Sequence, residues 1–379
     1  MSEKIYKVCS YCVMDTTDAS IQFDEQGVCN YCKSAIKKVE QITFRIEEER
    51  ERKFNEVIAK VKQAGAGKQY DCIIGLSGGV DSSYLAYIVK KAGLRPLAIH
   101  LDNGWNSELA VQNIENIVKK LGIDLFTYVI DWEEFRDLQM AYLKASVLDI
   151  EVLSDNAIVV SIFRLMKKYD VKHFLIGTNF AAESIMPLTW MYVPKYDSLN
   201  IKSIYKRFGS GRKLKTYPLL SFREYIRYRY FNSENNIPLL NYVPYVKTNA
   251  LNVLKEEFGW RDYGGKHYES KITQFYQAYI LPTKFNVDKR KAHLSSLICS
   301  GQITREQALV ELEKPLYDLI KLKEDKEYFV KKLDINEKEF EKIMSLPIRP
   351  HSYYPSYEGM HKRLAAFKRK LTKSSKKEL

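Results

Sequence analysis

Two clusters of residues in this chain have the types and spacing that chemistry requires. The first is Cys9-x-x-Cys12 and Cys29-x-x-Cys32, with sixteen residues between the pairs. Each pair can present two thiolates from one tight turn, the spacing of a four-cysteine metal site. Tetrahedral Zn²⁺ would close a segment too small to build a core of its own, and four protein ligands would leave no open position for catalysis. An iron–sulfur cluster or redox thiols are the competing readings of the same four residues. The second cluster is Ser77-Gly78-Gly79-Val80-Asp81-Ser82-Ser83. Two adjacent glycines let a backbone turn tightly and approach phosphate oxygens with no Cβ in the way. Their N–H groups, joined by those of a following helix N-terminus, make an anion site. Ser77, Ser82 and Ser83 can add hydroxyl donors, and Asp81 can brace the loop or help place Mg²⁺. The Gly-Lys-Ser/Thr that grips a γ-phosphate is missing. Such a loop suits cleavage between the α and β phosphates; a plain glycine-rich turn capped by Asp and Ser is the bland alternative.

These residues need a scaffold, and the hydrophobic pattern supplies one. Residues 70–76 (YDCIIGL) form a short apolar run that leads straight into the loop, and residues 82–93 have helical spacing that ends at Gly93. Apolar runs at 95–102, 124–131 and 171–179 alternate with helical patterns at 107–122 and about 155–169. Repeated strand–helix–strand units with buried strands predict an α/β fold with a doubly wound parallel sheet. Ligands gather beyond the carboxyl ends of such strands. That rule directs attention to Asp102, after the second strand, and to Gly177-Thr178-Asn179 and Glu183, after the fourth. Strand-end capping for Asp102 and a helix start for Glu183 are the ordinary alternatives.

Composition narrows the class. With 379 residues, 45% hydrophobic and 28% charged, the chain is an ordinary globular protein large enough for an α/β core and smaller modules. No run of about 18 apolar residues occurs, and the opening MSEKIYKVCSYC lacks the apolar stretch of a secretory signal, so a cytoplasmic location with reduced cysteines is expected. The formal charge of +13 suggests nucleic acid, yet residues 361–379 hold eight Lys/Arg against one Glu and account for +7 of it. The body is only mildly basic, and nucleic acid is not the expected partner.

SGGVDSS, in its strand–turn–helix setting, resembles the signature of the PP-loop ATP pyrophosphatases, with the similarity covering roughly residues 69–185. The resemblance implies an adenine nucleotide alpha hydrolase-like fold and an ATP- and Mg²⁺-dependent reaction in which a carbonyl oxygen is adenylated and a nucleophile displaces AMP. It also implies that the strand end at Asp102 flanks adenine and ribose, and that Gly177, Thr178, Asn179 and Glu183 face the phosphates and metal. Together with the cysteine cap, HLDNGWNS, GTNFAAES, WRDYGGKHYESKITQFYQAYILPTKF and DKRKAHLSSLICSGQITREQAL, the chain is similar over nearly its whole length to N-acetyl sugar amidotransferases of surface-glycan biosynthesis, including that of lipopolysaccharide (LPS). The substrate so implied is a nucleotide-activated N-acetyl sugar whose acetamido oxygen is replaced by ammonia. The implied partners are separate glutaminase and cyclase-like ammonia-channel subunits, since neither Cys72 nor Cys299 sits in a glycine-flanked nucleophile turn.

Lys266 and His267, with Lys289, Arg290, Lys291 and His293, are candidates for binding a sugar carboxylate or a phosphate, with surface solvation as the alternative. The expected division is a zinc-binding cap (1–35), a helical connector (36–68), an ATP-binding core (69–185), a substrate-binding region (186–300) and a mainly helical C-terminal region with a basic tail (301–379). A tRNA-modifying PP-loop enzyme is the main rival function. A zinc-bearing scaffold that merely senses nucleotide is the third.

Overall fold

In the computed structural model, residues 5–42, 46–231, 235–263 and 269–357 are described. Lys266, His267 and the basic tail therefore lie outside the described residues. A five-stranded, all-parallel sheet forms the centre: β1 (Cys72–Gly75), β2 (Pro96–Asp102), β3 (Asp124–Val129), β4 (His173–Leu175) and β5 (Asn236–Ile237), in the order β3-β2-β1-β4-β5. The chain winds outward from β1 to β3 and then crosses back to β4. This places the topological switch point between β1 and β4, where open α/β sheets bind ligands.

Side-chain alternation explains the two helical layers. Cys72 and Ile74 of β1 and Ala98 of β2 pack against α2 (Glu47–Ala64), α3 (Val80–Lys91), α4 (Glu108–Leu121) and α10 (Lys247–Phe258). Ile73, Leu97 and Ile99, on the opposite face, pack against Ile162, Phe163, Leu165 and Met166 of α6 (Val152–Lys168). A strand buried on both faces must be apolar at every position, which is why β1 reads as a continuous run rather than an alternating one.

The doubly wound reading thus holds, with two elements that the pattern did not reveal. One is α5 (Trp132–Ala145), amphipathic and started by Asp131, whose side chain accepts the Glu134 N–H. The other is β5, two residues long and too short to show any period. The charged segment after the cap forms two helices, α1 (Asn30–Ile42) and α2.

The remaining elements are helical: α7 (Phe180–Glu183), α8 (Ser198–Phe208), α9 (Phe222–Phe231), α11 (Lys271–Phe275), a π turn (Tyr276–Ile280), α12 (Leu281–Phe285), α13 (Lys289–Cys299), α14 (Arg305–Glu313), α15 (Leu319–Lys332) and α16 (Glu337–Met344). Phe275, Phe329 and Phe340 interlock in the C-terminal part of this set, in one core cluster with Trp105 and the cap. Among the described residues no helix is long and apolar enough to cross a membrane.

Glu134 on α5 shows how the segment beyond α8 is pinned. Only 4% exposed, its carboxylate accepts the backbone N–H groups of Lys215 (2.7 Å), Thr216 (2.9 Å) and Tyr217 (3.0 Å). Burial alone would raise this carboxyl, but the three donors outweigh it and hold the group below its ordinary range. Glu134→Ala should leave buried donors without partners and cost about 2–4 kcal/mol, read as a lower unfolding midpoint at neutral pH. Because the folded carboxyl is depressed, its contribution is present above the unfolded carboxylate range and lost as pH falls through the folded value. The gap between wild type and variant should therefore narrow on acidification.

Candidate functional site

β1 ends at Gly75 and α3 begins at Val80, so the Ser77–Gly79 turn sits at the carboxyl end of the central strand. Gly78 adopts φ +85°, and a Cβ there would lie 2.6 Å from the Ala110 carbonyl oxygen, so only glycine fits between β1 and α4. Gly79 caps α3 without a side-chain hydrogen bond of its own, so the start of α3 keeps the N–H dipoles of a helix N-terminus, the arrangement that attracts anions. The loop is braced by its own hydroxyls. Ser82 Oγ accepts the Ser77 N–H at 3.2 Å and lies 3.1 Å from Ser77 Oγ, while Ser77 Oγ accepts the Gly79 N–H at 3.2 Å.

Other elements close around this turn. A Cβ on Gly177, just past β4, would meet the Asp81 carbonyl oxygen at 3.0 Å, so glycine lets the fourth strand's loop lie on the start of α3. Asn179 then caps α7 by accepting the Ala182 N–H at 2.9 Å, which sets Glu183 at the end of that short helix on the cleft wall. His100 ties two strand ends together, with Nδ1 3.1 Å from the Leu76 carbonyl oxygen and Nε2 3.0 Å from Asn106 Nδ2. Burial pushes this imidazole below its ordinary range, consistent with a neutral ring that donates from Nδ1 and accepts at Nε2.

The segment after α10 supplies contacts that sequence reasoning missed. Trp260, 2% exposed, donates its indole N–H to the Gly78 carbonyl oxygen at 2.9 Å. Tyr263 accepts the Val80 N–H, and its hydroxyl and the Glu269 carboxylate stand 3.2 and 3.3 Å from where a Gly79 Cβ would be. Tyr245 donates a short hydrogen bond to Asp81. Burial first, then the charges of Asp81 and Glu183, push the Tyr245 phenol far up, so it stays a neutral donor. The signal available was chemical: aromatic and acidic residues crowded into WRDYGGKHYES, without a spacing rule to say what they face.

Ser77, Gly79, Val80, Asp81, Ser82, Gly177, Thr178 and Glu183 all line one cleft of about 1320 Å³. That is room for more than one small ligand. Its wall includes the apolar side chains of Ile99, Ile158 and Phe174, a surface on which a base can lie. Four other candidates do not line it, the first being Asn179, which is buried and spends its side chain on capping α7. Asp102 turns its carboxylate into its own turn, accepting the Gly104 N–H at 2.9 Å. Ser83 is fully buried on the inner side of α3. Gly78 shapes the loop through its backbone and does not line the cleft.

The basic residues of the 289–293 stretch are engaged with acids: Lys289 with Glu151 (2.5 Å), Arg290 with Asp288 (2.8 Å) and Lys291 with Asp15 of the cap. Lys291 and Arg290 are therefore docking and bracing groups in this structure, a different role from the anion binding expected of them.

The four cap cysteines are fully buried, and their sulfurs all lie within 4.8 Å of one another. Cys9–Cys32 and Cys12–Cys29 are 3.8 Å apart and Cys29–Cys32 3.5 Å. A tetrahedral ion with metal–sulfur bonds of about 2.3 Å needs sulfur–sulfur edges near 3.8 Å, so the residues fit such an ion. Backbone N–H groups of Tyr11, Cys29 and Met14 point at sulfurs from 3.2–3.4 Å, as anionic thiolates require. The cap rests on the C-terminal helices: Arg305 of α14 donates to the carbonyls of Cys9 and Cys12 at 3.2 Å, and Ser295 of α13 accepts the Val13 N–H at 3.3 Å.

The loop geometry makes a direct prediction. Gly78→Ala combines an unfavourable φ with a backbone collision, so it should cost about 2–4 kcal/mol in thermal unfolding and weaken binding of α,β-methylene-ATP by about tenfold or more in calorimetry. Trp260→Phe, which keeps an aromatic ring but removes the hydrogen bond and part of a buried indole, should cost about 2–3 kcal/mol.

Comparison with known proteins agrees with this layout. Residues 50–210 match the NAD synthase family, and residues 269–368 match the family described as LPS biosynthesis protein WbpG-like, C-terminal domain. A tRNA(Ile)-lysidine synthase from Chlamydia pneumoniae is 34% identical over 67 residues, which is 17% of this chain; the chain spans about a fifth (21%) of that relative. Among solved structures, an NMN synthetase from Francisella tularensis is 20% identical over 36% of this chain and 56% of its own length, with a TM-score of 0.29. An NH3-dependent NAD synthetase from Campylobacter jejuni is 15% identical over 56% of this chain and 94% of its own, with a TM-score of 0.28. The two family matches meet across the cleft, one carrying the phosphate loop and the other the facing wall. Residues 50–210 thus carry an NAD synthase-like PP-loop region, and residues 269–368 carry the C-terminal domain of WbpG-like LPS biosynthesis proteins.

Proposed function

We propose that this protein is an ATP-dependent, AMP-forming amidotransferase that converts the acetamido group of a nucleotide-linked N-acetyl sugar into an acetamidine for surface-glycan biosynthesis. The observation that carries this reading is the shared cleft: Ser77, Gly79 and Ser82 of the PP-loop and residues of the WbpG-like region from Glu269 through Lys289 to Leu316 line one continuous space. A nucleotide held by the loop would thus be presented to whatever the second region binds.

In this reading the loop and the first turn of α3 hold the outer phosphates of ATP. The acetamido oxygen attacks the α-phosphorus, forming an O–P bond while the bond to the β-phosphate oxygen breaks and pyrophosphate leaves. Ammonia then adds to the activated carbon, AMP departs with the original oxygen, and a proton lost from nitrogen leaves the amidine. An amide is a poor electrophile, and AMP is a far better leaving group than the oxygen it replaces. Asp81 and Glu183, whose charges both reach Tyr245, would hold Mg²⁺, which neutralises charge on the departing pyrophosphate. Ser77 and Ser82 would donate to phosphate oxygens, exchanging their mutual hydrogen bond for ligand contacts.

Ammonia would come from a separate glutaminase through a cyclase-like subunit. Cys72 supports this, because it is fully buried in β1 and desolvation pushes its thiol well up, the opposite of an activated nucleophile. The four-cysteine cap would hold structural Zn²⁺, and the whole would work in the cytoplasm. A tRNA-modifying activity is the second reading, favoured only by the 67-residue match to a lysidine synthase.

Two experiments test these assignments. Purified protein given ATP, Mg²⁺, ammonia and a panel of nucleotide-activated acetamido sugars should release AMP and pyrophosphate only when a sugar is present, and mass spectrometry should find the product lighter by the replacement of O with NH. Asp81→Asn should lower that rate by about 100-fold or more. Accumulation of ADP, or AMP formation that needs tRNA instead, would refute the reading. Metal analysis should find one zinc per chain, and Cys29→Ser should lose it and drop the unfolding midpoint by about 5 °C or more, because the cap clamps α13 and α14. Iron in the purified protein would contradict the zinc assignment.

A further inference from the structure

Beside the nucleotide cleft lies a chamber of about 600 Å³ that no loop residue from Ser77 to Ser82 touches. It opens into the cleft along a broad seam that includes Thr178, Glu183 and Glu269 and also Asp155, Gln277 and Lys289, all of which line both spaces. Its far side is built by the start of α6 and by the turn between α11 and α12. That turn is a π-helix, Tyr276–Ile280, a rare geometry that local propensity does not favour and that recurs at functional sites. It brings Gln277 to the chamber wall, where the side-chain amide donates to Glu151 at 2.9 Å.

The electrostatics of this wall are specific. Among the described residues, four carboxylates (Glu151, Asp155, Glu183, Glu269) face two ammonium groups (Lys195, Lys289). Both ammonium groups are committed. Lys195 sits between Asp149 at 2.6 Å and Asp155 at 2.9 Å, and Lys289 lies 2.5 Å from Glu151. An anion entering here would meet excess negative charge and would have to take Lys195 from Asp149, which is buried, or Lys289 from Glu151, an expensive exchange. A hydroxyl or amide N–H meets the opposite: carboxylate oxygens held in fixed positions by the lysines, each with lone pairs to spare. Met186, Met191 and Ile272 add an apolar face against which ring carbons or a methyl can rest.

We infer that this chamber receives the uncharged, hydroxyl- and acetamide-bearing part of the acceptor, with Glu151, Asp155 and Gln277 as its hydrogen-bonding residues and any phosphate or carboxylate of the acceptor left outside. This inference rests on the sugar-amidotransferase reading for its ligand class; Glu151, Lys195, Met186, Met191 and Ile272 line the chamber alone, while Asp155 and Gln277 stand where it opens into the cleft. Lys195 and Lys289 are positioning residues here, since they act by holding carboxylates.

The test uses the full-length protein with α,β-methylene-ATP and saturation-transfer NMR on three probes: N-acetylglucosamine, UDP-N-acetylglucosamine and CMP-N-acetylneuraminate. At least one probe should show saturation of its acetamido methyl and ring protons. Glu151→Gln and Gln277→Leu, two variants so that a folding failure in one does not decide the matter, should each weaken that sugar by about tenfold and change the nucleotide affinity much less. Lys195→Met should weaken the neutral probe as well, because it frees Asp155 from its fixed position. Inorganic phosphate should not compete with the sugar in the chamber. Binding by no probe, or binding that both variants leave unchanged, would overturn the chamber assignment. Sugar binding that the variants reduce, combined with no sugar-dependent AMP release by wild type, would leave the chamber standing and remove the amidotransferase reading.

Discussion

The structure turns on how closely backbone can approach backbone at the end of β1. Gly78 carries its left-handed φ with the Ala110 carbonyl on one side and the Trp260 indole N–H on its own carbonyl. A planar peptide held at one end is held at the other, so this clamp also fixes the following Gly79 N–H and the entry into α3. The contacts come from α4 and from the segment after α10, so the loop's shape is imposed by elements far apart in the chain. Gly177 repeats the device from β4, where absence of a Cβ lets a second loop rest on Asp81.

Charge is distributed in the cleft by the same economy. Carboxylates recur along it, and Lys289 on its wall, like Lys195 in the adjoining chamber, is neutralised by acids. A surface so arranged is poor at attracting anions by net charge, which leaves anion binding to N–H dipoles at the head of α3. Those dipoles are directional and cost no desolvated counter-charge. The division separates a phosphate-binding region built from backbone from a neighbouring chamber built from side chains.

The cysteine cap joins the start of the described chain to α13 and α14. It lacks a core large enough to fold alone, and its four sulfurs share one core cluster with Phe275, Phe329 and Phe340. Arg305 and Lys291 reach from α14 and α13 to cap carbonyls and Asp15, so whatever holds the cysteines together also holds the helices that wall the cleft. The cap's influence on the cleft is therefore mechanical.

The sequence by itself determined the parallel α/β core, because strands buried on both faces must be apolar throughout and the helices between them must show a 3.6-residue period. It also determined the two strongest clusters, since Cys-x-x-Cys pairs and SGGVDSS do their work within a few residues of backbone. What it could not decide was anything that depends on which distant segments meet. β5 is two residues long, too short to show a period, and α5, between the third strand and α6, emerges only in the fold. Asp102 sits at a strand end, where ligands gather, yet a local turn claims its carboxylate; Ser83 lies in the motif but faces inward because α3 has a buried side. Lys289 and Arg290 read as free cations until folding set acids beside them. Trp260, Tyr245, Tyr263 and Glu269 carried no local spacing signal, and only tertiary packing brought them to the phosphate loop from more than 150 residues away. Local backbone chemistry is written in neighbouring residues; long-range pairing is decided by the packing of the whole.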